Sequence, residues 1–320
     1  MEKRPLGRTG LAIAPLVFGG NVFGWTIDEP TSFAVLDAFV DHGFDAIDTA
    51  DVYSVWAPGN QGGESETIIG RWLKARPAVR DRVTVFTKVG GDLRRPGCKG
   101  LSARWIAEAV EGSLSRLGVD AIDLYFAHWP DAGTPWEETL GAFDRLVRAG
   151  KVKALGASNH DAGQLGTALK VAAVEGLPRY GVLQPEYNLY NRAAYEGPLR
   201  DLCIAEGLGA VTYYSLASGF LTGKYRSTAD LGQSRRGEGV GKYLTPRGLA
   251  ILAALDAVAA NQGAKPAEVA LAWLMARDGV TAPIASATSV AQVESFAKAA
   301  ALTLTAEEVA ALDVASAPGG

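Results

Sequence analysis

Short apolar runs recur along the chain, and they alternate with longer segments in which apolar residues return every three or four positions. The short runs are rich in Val, Ile, Leu and Phe, which is typical of strands buried on both faces of a parallel sheet. Eight strands are predicted in this way, at residues 16–19, 46–48, 83–89, 122–128, 152–158, 181–186, 209–215 and 281–286.

The longer segments have the spacing of amphipathic helices. They lie at residues 31–42, 64–76, 102–117, 136–149, 161–175, 193–206 and 289–300, with a further pair at 249–262 and 266–277. Gly43, Gly118, Gly150 and Gly207 follow helix ends, where a left-handed residue commonly terminates a helix. Because strands alternate with helices about eight times without a linker, we predict an α/β fold, a (β/α)8 TIM barrel forming one domain over residues 1–320.

Two segments interrupt this alternation. Residues 6–14 contain Gly7 and Gly10 and predict an N-terminal β-hairpin before the first barrel strand. A Gly- and Ser-rich loop between Ala217 and Tyr243 follows the seventh barrel strand, and it carries Arg226, Arg235 and Arg236. Active sites of such barrels lie at the carboxyl ends of the strands, so we expect this long loop to cover a ligand.

Composition narrows the class of protein. The chain has 320 residues and a net charge of -4, without runs of Lys or Arg, which argues against nucleic acid and anionic membranes as partners. Cys98 and Cys203 are too few for a disulfide framework or a thiolate metal cage, so no metal site is predicted. The N-terminal residues lack the apolar core of a signal peptide, and no segment has the length of a membrane span. We therefore expect a soluble cytoplasmic protein, and its oligomeric state stays open.

Four polar side chains follow three of the predicted strands. Asp48 ends the second strand and Tyr53 comes five residues later, Lys88 lies at the end of the third strand, and His128 ends the fourth. Each alone could be a structural residue of the barrel rim, but neighbouring parallel strands end on the same rim. A phenol beside an ammonium is a suitable proton donor to a carbonyl oxygen that accepts hydride, and a carboxylate can hold the ammonium in place. His128 could orient that oxygen, whereas His42 and His160 are predicted to have structural roles only.

Nearly the whole sequence resembles the aldo-keto reductase family. The similar segments include LGRTGLAIAPLVFGG, FDAIDTADVYS, GGESETIIGRWL, FTKVG, DLYFAHWPD, VKALGASN, LQPEYN, YYSLASGFLTGKY and PIASATSVAQVESF. The family's catalytic Asp, Tyr, Lys and His match Asp48, Tyr53, Lys88 and His128. The resemblance therefore implies reduction of a carbonyl with hydride from a nicotinamide cofactor, NADPH by default and NADH as the alternative.

No Gly-x-Gly-x-x-Gly follows a strand and opens a helix, so a Rossmann domain is not expected. The family binds its cofactor across the top of the barrel instead. By resemblance, Ser158, Asn159 and Gln184 bind the nicotinamide amide, Tyr213 stacks on the ring, and Gly20 and Asn21 lie near the ribose. Asp48 is also expected among the cofactor-binding residues. The same resemblance implies a pyrophosphate segment comprising Tyr214, Ser215, Leu216, Ser218, Gly219, Leu221, Gly223 and Lys224.

The adenosine end is predicted at Ser286, Ala287, Thr288, Ser289 and Gln292. Many members of the family carry a basic residue where this chain has Ser286. A 2′-phosphate is best bound by Arg or Lys, so the preference for NADPH over NADH is expected to be relaxed. Ser295 and Phe296 stand where many members have Glu-Asn, and Phe296 could pack on the adenine.

Aromatic residues on rim loops predict the substrate site, which should suit a small-molecule aldehyde or ketone of modest polarity. They are Phe23, Trp25, Trp56 and Trp129, beside Tyr53 and His128. Two other functions compete with carbonyl reduction. One is a regulatory binding protein resembling the potassium channel β-subunits, and the other is an aldolase that uses Lys88 as a Schiff base.

Overall fold

The computed structural model describes residues 1–234 and 237–318, without the side chain of Glu238, so Arg235 and Arg236 of the long loop lie outside the described residues. Strands β1 (Arg4–Pro5) and β2 (Ala12–Ile13) pair antiparallel as the N-terminal hairpin. The other eight strands are β3 (Val17–Gly19), β4 (Ala46–Asp48), β5 (Thr84–Val89), β6 (Ile122–Ala127), β7 (Val152–Ser158), β8 (Val182–Gln184), β9 (Gly209–Thr212) and β10 (Ala282–Ala285). They form a closed parallel barrel in the order β10-β3-β4-β5-β6-β7-β8-β9, which confirms the predicted (β/α)8 fold and its hairpin.

Helices surround the barrel. They are α1 (Glu29–Asp41), α2 (Glu64–Ala75), α3 (Ala103–Leu117), α4 (Trp136–Arg148), α5 (Ala162–Glu175), α6 (Pro198–Glu206), α7 (Pro246–Gln262), α8 (Pro266–Met275), α9 (Val290–Ala301) and α10 (Ala306–Ala315). Gly118 and Gly207 end α3 and α6 with φ of 64° at both, as their positions in the sequence predicted. Two differences from prediction are the later start of α6 at Pro198 and the additional helix α10.

The hairpin closes the amino-terminal end of the barrel. Leu6 and Ile13 are fully buried in the same apolar cluster as barrel residues such as Val17 and Phe86. Gly7 has a φ of 57°, and a Cβ there would lie 2.3 Å from the backbone nitrogen of Gly209. Only glycine therefore permits this close approach of the hairpin to the barrel, which leaves the opposite end, where the strands finish, open to ligands.

The long loop after β9 contains three short 3-10 turns, at Ala217–Thr222, Thr228–Gln233 and Gly237–Tyr243. Aromatic side chains pack the loop on itself and on the connection between β8 and α6: Phe220 stacks on Tyr243 with ring centroids 5.5 Å apart and contacts Tyr190 edge-on. Arg226 pairs with Asp256 of α7 at 2.8 Å. The segment predicted as a covering loop is therefore packed against the carboxyl end of the barrel.

Candidate active site

A cavity of about 670 Å³ opens at the carboxyl ends of the barrel strands, a size usual for small-molecule sites. Most of the polar residues predicted from the sequence line it. They are Asn21, Asp48, Tyr53, His128, Ser158, Asn159, Gln184, Tyr213, Tyr214, Ser215, Ser218, Lys224, Ser286, Thr288 and Gln292. The barrel therefore brings side chains from seven of its strand ends and their loops to one place.

Asp48, Tyr53 and Lys88 form a hydrogen-bonded triangle below this cavity. The Lys88 ammonium donates to Asp48 Oδ2 at 2.7 Å, to the carbonyl oxygen of Thr49 at 2.7 Å and to the Tyr53 hydroxyl oxygen at 2.8 Å. The Tyr53 hydroxyl donates to Asp48 Oδ2 at 3.2 Å, and Gln184 Nε2 donates to Asp48 Oδ1 at 2.8 Å. Both oxygens of Asp48 are thus engaged, which fixes the carboxylate against Lys88.

Burial dominates the proton affinities of this triangle. It raises the pKa of Tyr53 well above its usual value, and the negative charge of Asp48 raises it further. It also lowers the pKa of Lys88, more than Asp48 raises it. The adjacent Lys88 ammonium would by itself make the phenol more acidic, but desolvation and Asp48 act more strongly. Tyr53 is therefore a neutral phenol that keeps its proton at physiological pH.

His128 follows β6 and lies beside Tyr53, with ring centroids 6.0 Å apart. Burial lowers the pKa of His128 well below its usual value, and the nearby Lys88 charge adds to the effect. The ring is accordingly neutral at physiological pH. Its Nδ1 atom is buried without a hydrogen-bond partner among the described residues. A neutral imidazole at the cavity wall can direct one ring nitrogen at a carbonyl oxygen.

The side chains of Ser158, Asn159 and Tyr213 and the backbone of Gln184 form a connected polar group at the ends of β7, β8 and β9, in which Asn159 Nδ2 donates to Ser158 Oγ at 3.1 Å. Ser158 Oγ donates to the Gln184 carbonyl oxygen at 2.9 Å, and Asn159 Nδ2 donates to the His128 carbonyl oxygen at 2.9 Å. The Tyr213 hydroxyl donates to Asn159 Oδ1 at 2.6 Å. This network holds amide and hydroxyl groups rigidly at the cavity surface, next to His128.

The predicted pyrophosphate segment adopts unusual backbone angles. Tyr214, Ala217 and Ser218 have φ values of 54°, 47° and 58°, and Gly219 has 98°. Leu216, Ser218, Gly219 and Lys224 line the cavity, together with Tyr214 and Ser215. Leu221 is fully buried in the core instead, and Gly223 lies outside the lining. Left-handed residues in series turn the chain sharply, so backbone and the Lys224 cation border the same space.

The predicted adenosine end lies between β10 and α9. Ser286 Oγ donates to Asn21 Oδ1 at 2.7 Å, and Gln292 Oε1 accepts from the Thr288 backbone nitrogen at 2.7 Å. Ser295 and Phe296 also line the cavity, whereas Ala287 is fully buried and Ser289, which precedes α9, does not line it. The lining described here therefore offers uncharged polar groups and one aromatic ring.

The rim aromatics divide into two groups. Trp56 and Trp129 line the cavity with 37% and 51% of their surfaces exposed. Phe23 does not lie at the rim as expected, because it is fully buried and stacks on Phe18 with ring centroids 5.3 Å apart. Trp25 is also outside the lining and packs edge-on against Trp56 at 5.6 Å. Trp25 thus contacts the cavity wall from behind, and the position of Phe23 does not support direct contact with substrate.

Several lining residues were not predicted. They are mostly apolar or small, namely Gly19, Val22, Thr26, Val52, Thr222, Ser234, Ala267, Leu271, Ile284 and Ala285. Gly20 lies next to this lining without contributing to it. The position of Val52 between Asp48 and Tyr53 was a usable signal. Ala267 and Leu271 lie on α8, whose contact with the cavity depends on tertiary packing and has no local sequence signature.

The set of groups fits a nicotinamide cofactor. Amide and hydroxyl groups lie near His128, Lys224 is a cation that could pair with phosphate, and Phe296 is a ring that could pack on a base. Across the described residues, no group of three or more His, Cys, Asp or Glu side chains could hold a metal ion. Within the same residues, none of the helices combines the length and apolar character needed to span a bilayer.

Comparison with known proteins agrees with this site. The sequence model of the Aldo/keto reductase family matches residues 15–317. The chain is 36% identical to the uncharacterized oxidoreductase YrpG of Bacillus subtilis (strain 168) over 330 aligned residues, covering 100% of this chain and 98% of that protein. It is 31% identical to L-glyceraldehyde 3-phosphate reductase of Escherichia coli (strain K12), with coverages of 98% and 92%.

Another similar protein is named as a channel subunit and not as an oxidoreductase. The chain is 35% identical to a probable voltage-gated potassium channel subunit beta of Oryza sativa subsp. japonica, with coverages of 93% and 91%. The family match nevertheless extends over nearly the whole chain and over all eight barrel strands. The protein therefore belongs to the aldo/keto reductase family, and it is an NAD(P)H-dependent oxidoreductase that acts on small-molecule carbonyls.

Proposed function

We propose that this oxidoreductase, acting as a single domain, reduces an aldehyde or ketone to the alcohol with Tyr53 as the general acid. The observation that carries the proposal is the Tyr53 hydroxyl, which contacts both Lys88 at 2.8 Å and Asp48 at 3.2 Å at the floor of the cavity. A bound nicotinamide cofactor supplies the hydride. As negative charge develops on the carbonyl oxygen, Tyr53 rotates its hydroxyl from Asp48 to that oxygen and transfers its proton.

The remaining members of the tetrad support this transfer. The Lys88 ammonium keeps donating to the Tyr53 oxygen and stabilises the phenolate that proton transfer leaves. Asp48 compensates the buried charge of Lys88. Neutral His128 donates its ring N–H to the carbonyl oxygen and holds that oxygen near Tyr53. The alcohol leaves after solvent restores the Tyr53 proton.

We propose that Ser158, Asn159, Gln184 and Tyr213 orient the nicotinamide amide and ring, because they form one connected polar group beside His128. NADPH is the proposed cofactor, and its preference over NADH is proposed to be weak. That second point is supported by Ser286 and Gln292, which are uncharged and already hydrogen-bonded to Asn21 and Thr288. The substrate is proposed to contact Trp56 and Trp129.

Two other functions can be distinguished from reduction. An aldolase would need a nucleophilic lysine that reaches the substrate, but Lys88 is fully buried and donates to three oxygens. A channel subunit is favoured by the relatives bearing that name. It predicts a stable complex with a membrane partner and slow turnover, whereas an oxidoreductase alone predicts multiple turnovers with a free carbonyl.

Replacement of Tyr53 by Phe tests the proposal. We expect carbonyl reduction to fall by about 10²–10⁴-fold while the dissociation constants of both reduced cofactors stay nearly unchanged. Tyr125→Phe is the matched control, because it removes another buried phenol hydroxyl that has no partner among the described residues. It should retain activity. A Tyr53→Phe enzyme as active as the wild type would reject Tyr53 as the acid.

A further inference from the structure

His160 is a buried histidine to which neither the sequence nor the proposed chemistry assigns a part in the reaction or in cofactor binding. It lies between β7 and Asp161, the residue that caps α5, and it does not line the cavity. Only 2% of its surface is exposed. Its ring packs between Trp136 and Tyr180, with centroid distances of 5.6 and 5.8 Å. The sequence predicted a purely structural residue, and this aromatic environment alone would agree.

The polar contact of His160 is more specific. Its Nδ1 atom lies 2.8 Å from the Ser158 carbonyl oxygen. A carbonyl oxygen only accepts hydrogen bonds, so the proton resides on Nδ1 and is donated to the backbone. Nε2 is buried without a partner among the described residues. Burial lowers the pKa of His160, more than the bond to Ser158 raises it. The ring is therefore neutral, and its single N–H proton donates to the Ser158 carbonyl oxygen.

This bond spans a strained residue. Asn159 has a φ of 62°, a left-handed conformation that residues other than glycine adopt infrequently. The His160 ring connects back to the carbonyl of Ser158, so it fixes the peptide groups on both sides of Asn159. Such conformations persist only where surrounding contacts hold them. His160 provides one of those contacts from behind the site.

The conformation of Asn159 in turn organises two groups at the cavity. Its side-chain Nδ2 donates to the His128 carbonyl oxygen at 2.9 Å, and its Oδ1 accepts from the Tyr213 hydroxyl at 2.6 Å. A peptide flip at Asn159 would withdraw both contacts together. The backbone at His128 and the Tyr213 ring therefore depend on the same turn that His160 holds.

We propose that His160 is a positioning residue for the cofactor site, which holds the left-handed turn at Asn159 by donating from Nδ1 to the Ser158 carbonyl. The assignment rests on the proposed cofactor site. His160 touches neither the cavity nor a reacting atom and acts through the backbone. Its effect should appear first in cofactor affinity.

Two substitutions separate this role from packing. His160→Phe keeps an aromatic ring between Trp136 and Tyr180 but removes the donor. His160→Asn removes the ring but places an amide NH₂ close to the position of Nδ1, where it can donate to the Ser158 carbonyl. Tyr180→Phe is the control, because it removes the hydroxyl from a ring that contacts His160 and leaves the turn untouched. Dissociation constants for NADPH and NADH are measured by fluorescence quenching at a temperature where circular dichroism shows each variant folded.

The two roles predict opposite orders of affinity. If His160 positions the turn, His160→Phe weakens cofactor binding by about tenfold or more, and His160→Asn stays within about threefold of the wild type. If the ring serves only packing, His160→Phe binds like the wild type, and that result would overturn the assignment. Wild-type protein that binds neither cofactor would contradict the proposed function, and this assignment with it.

A measurement on the wild type does not depend on any variant folding. Long-range proton–nitrogen correlation NMR distinguishes the two neutral tautomers of a histidine ring. We expect the His160 proton on Nδ1, in slow exchange with solvent because the group is buried and hydrogen-bonded. A proton on Nε2 would mean that the bond to Ser158 is not made, and it would reject the assignment.

Discussion

Lys88 Nζ lies 2.7 Å from Asp48 Oδ2, and the two side chains are 0% and 2% exposed. A buried ion pair is tolerated in the folded protein only while both charges are present. Removing one partner destabilises the fold, because the remaining charge is strongly disfavoured in a buried site. The pair therefore links the stability of the barrel to the chemistry proposed for Tyr53, which contacts both residues.

We expect Lys88→Met to lower the free energy of unfolding by about 3–5 kcal/mol, because Asp48 is left buried without a countercharge. The double variant Lys88→Met with Asp48→Asn removes both charges and should regain part of that loss, but not activity. Urea denaturation followed by circular dichroism measures the free energies. Arg104→Met, which breaks an exposed pair with Glu108, should change stability little. A double variant no more stable than Lys88→Met would show that the two charges are not coupled.

The buried histidine His128 predicts the direction of pH dependence. Its pKa is lower in the folded protein than its usual value, mainly through burial and then through Lys88. The unfolded chain therefore binds a proton near pH 6.5 that the folded chain does not bind. The stability contributed by neutral His128 is present above that pH and is lost as pH falls from about 6.5 towards the lower folded value.

Removing His128 should accordingly flatten the acid side of the stability profile. Within the titration window, His128→Gln is expected to reduce the slope by up to about 1.4 kcal/mol per pH unit. The measurement compares free energies of unfolding at pH values from roughly 7.5 to roughly 5.5, about one unit above and below the usual pKa of histidine. His42→Gln is the control, because His42 is exposed at the end of α1. Equal slopes in His128→Gln and wild type would contradict the prediction.

The barrel could be predicted from the sequence because the alternation of strand and helix recurs about eight times. Errors in the bounds of single strands therefore did not change the predicted fold. The sixth and seventh barrel strands were predicted to end at residues 186 and 215, but they end at Gln184 and Thr212. The chain stays buried beyond the last residue that pairs with a neighbouring strand, as at Ser215. A run of apolar residues indicates burial but does not show where the hydrogen bonds between strands end. By contrast, α10 begins with a capping box formed by Thr305 and Glu308, a local signal that was present in the sequence.

The site was predictable as far as it depended on strand ends. Asp48, Lys88 and His128 share one end of the barrel because parallel strands bring them there. The direction of a loop side chain is different, since it depends on tertiary packing. Phe23 points into the core, and the donation from Gln184 to Asp48 joins residues 136 positions apart. The sequence also did not show that burial is the largest influence on the pKa of Tyr53, because the burial of a side chain is known only from the structure.

The exposed tryptophans predict a dependence on substrate size. Trp56 and Trp129 present large apolar surfaces at the cavity, so Trp129→Ala should reduce kcat/KM about tenfold for a bulky aromatic aldehyde. A small aliphatic aldehyde should be affected much less. Because Trp129 also stacks near His128, with centroids 6.0 Å apart, kcat and KM are measured separately. Val174→Ala, an exposed apolar change on α5, should leave both substrates unaffected. An equal loss for both aldehydes would indicate an effect on His128 rather than on substrate contact.

Charge at the adenosine end should decide the choice between the two cofactors. With Gln292 and Ser286 engaged in neutral hydrogen bonds, we expect wild-type NADPH to bind less than about a hundredfold more tightly than NADH, a difference below roughly 2.7 kcal/mol. Gln292→Arg places a guanidinium at the cavity, where it can pair with the 2′-phosphate, and should raise the ratio of affinities by about tenfold. Gln262→Arg adds the same charge outside the lining, beside Glu308, and controls for net charge. Titration of both reduced cofactors against each protein gives the ratios. A wild-type ratio above a hundredfold would mean that 2′-phosphate recognition does not depend on the neutral groups at Ser286 and Gln292.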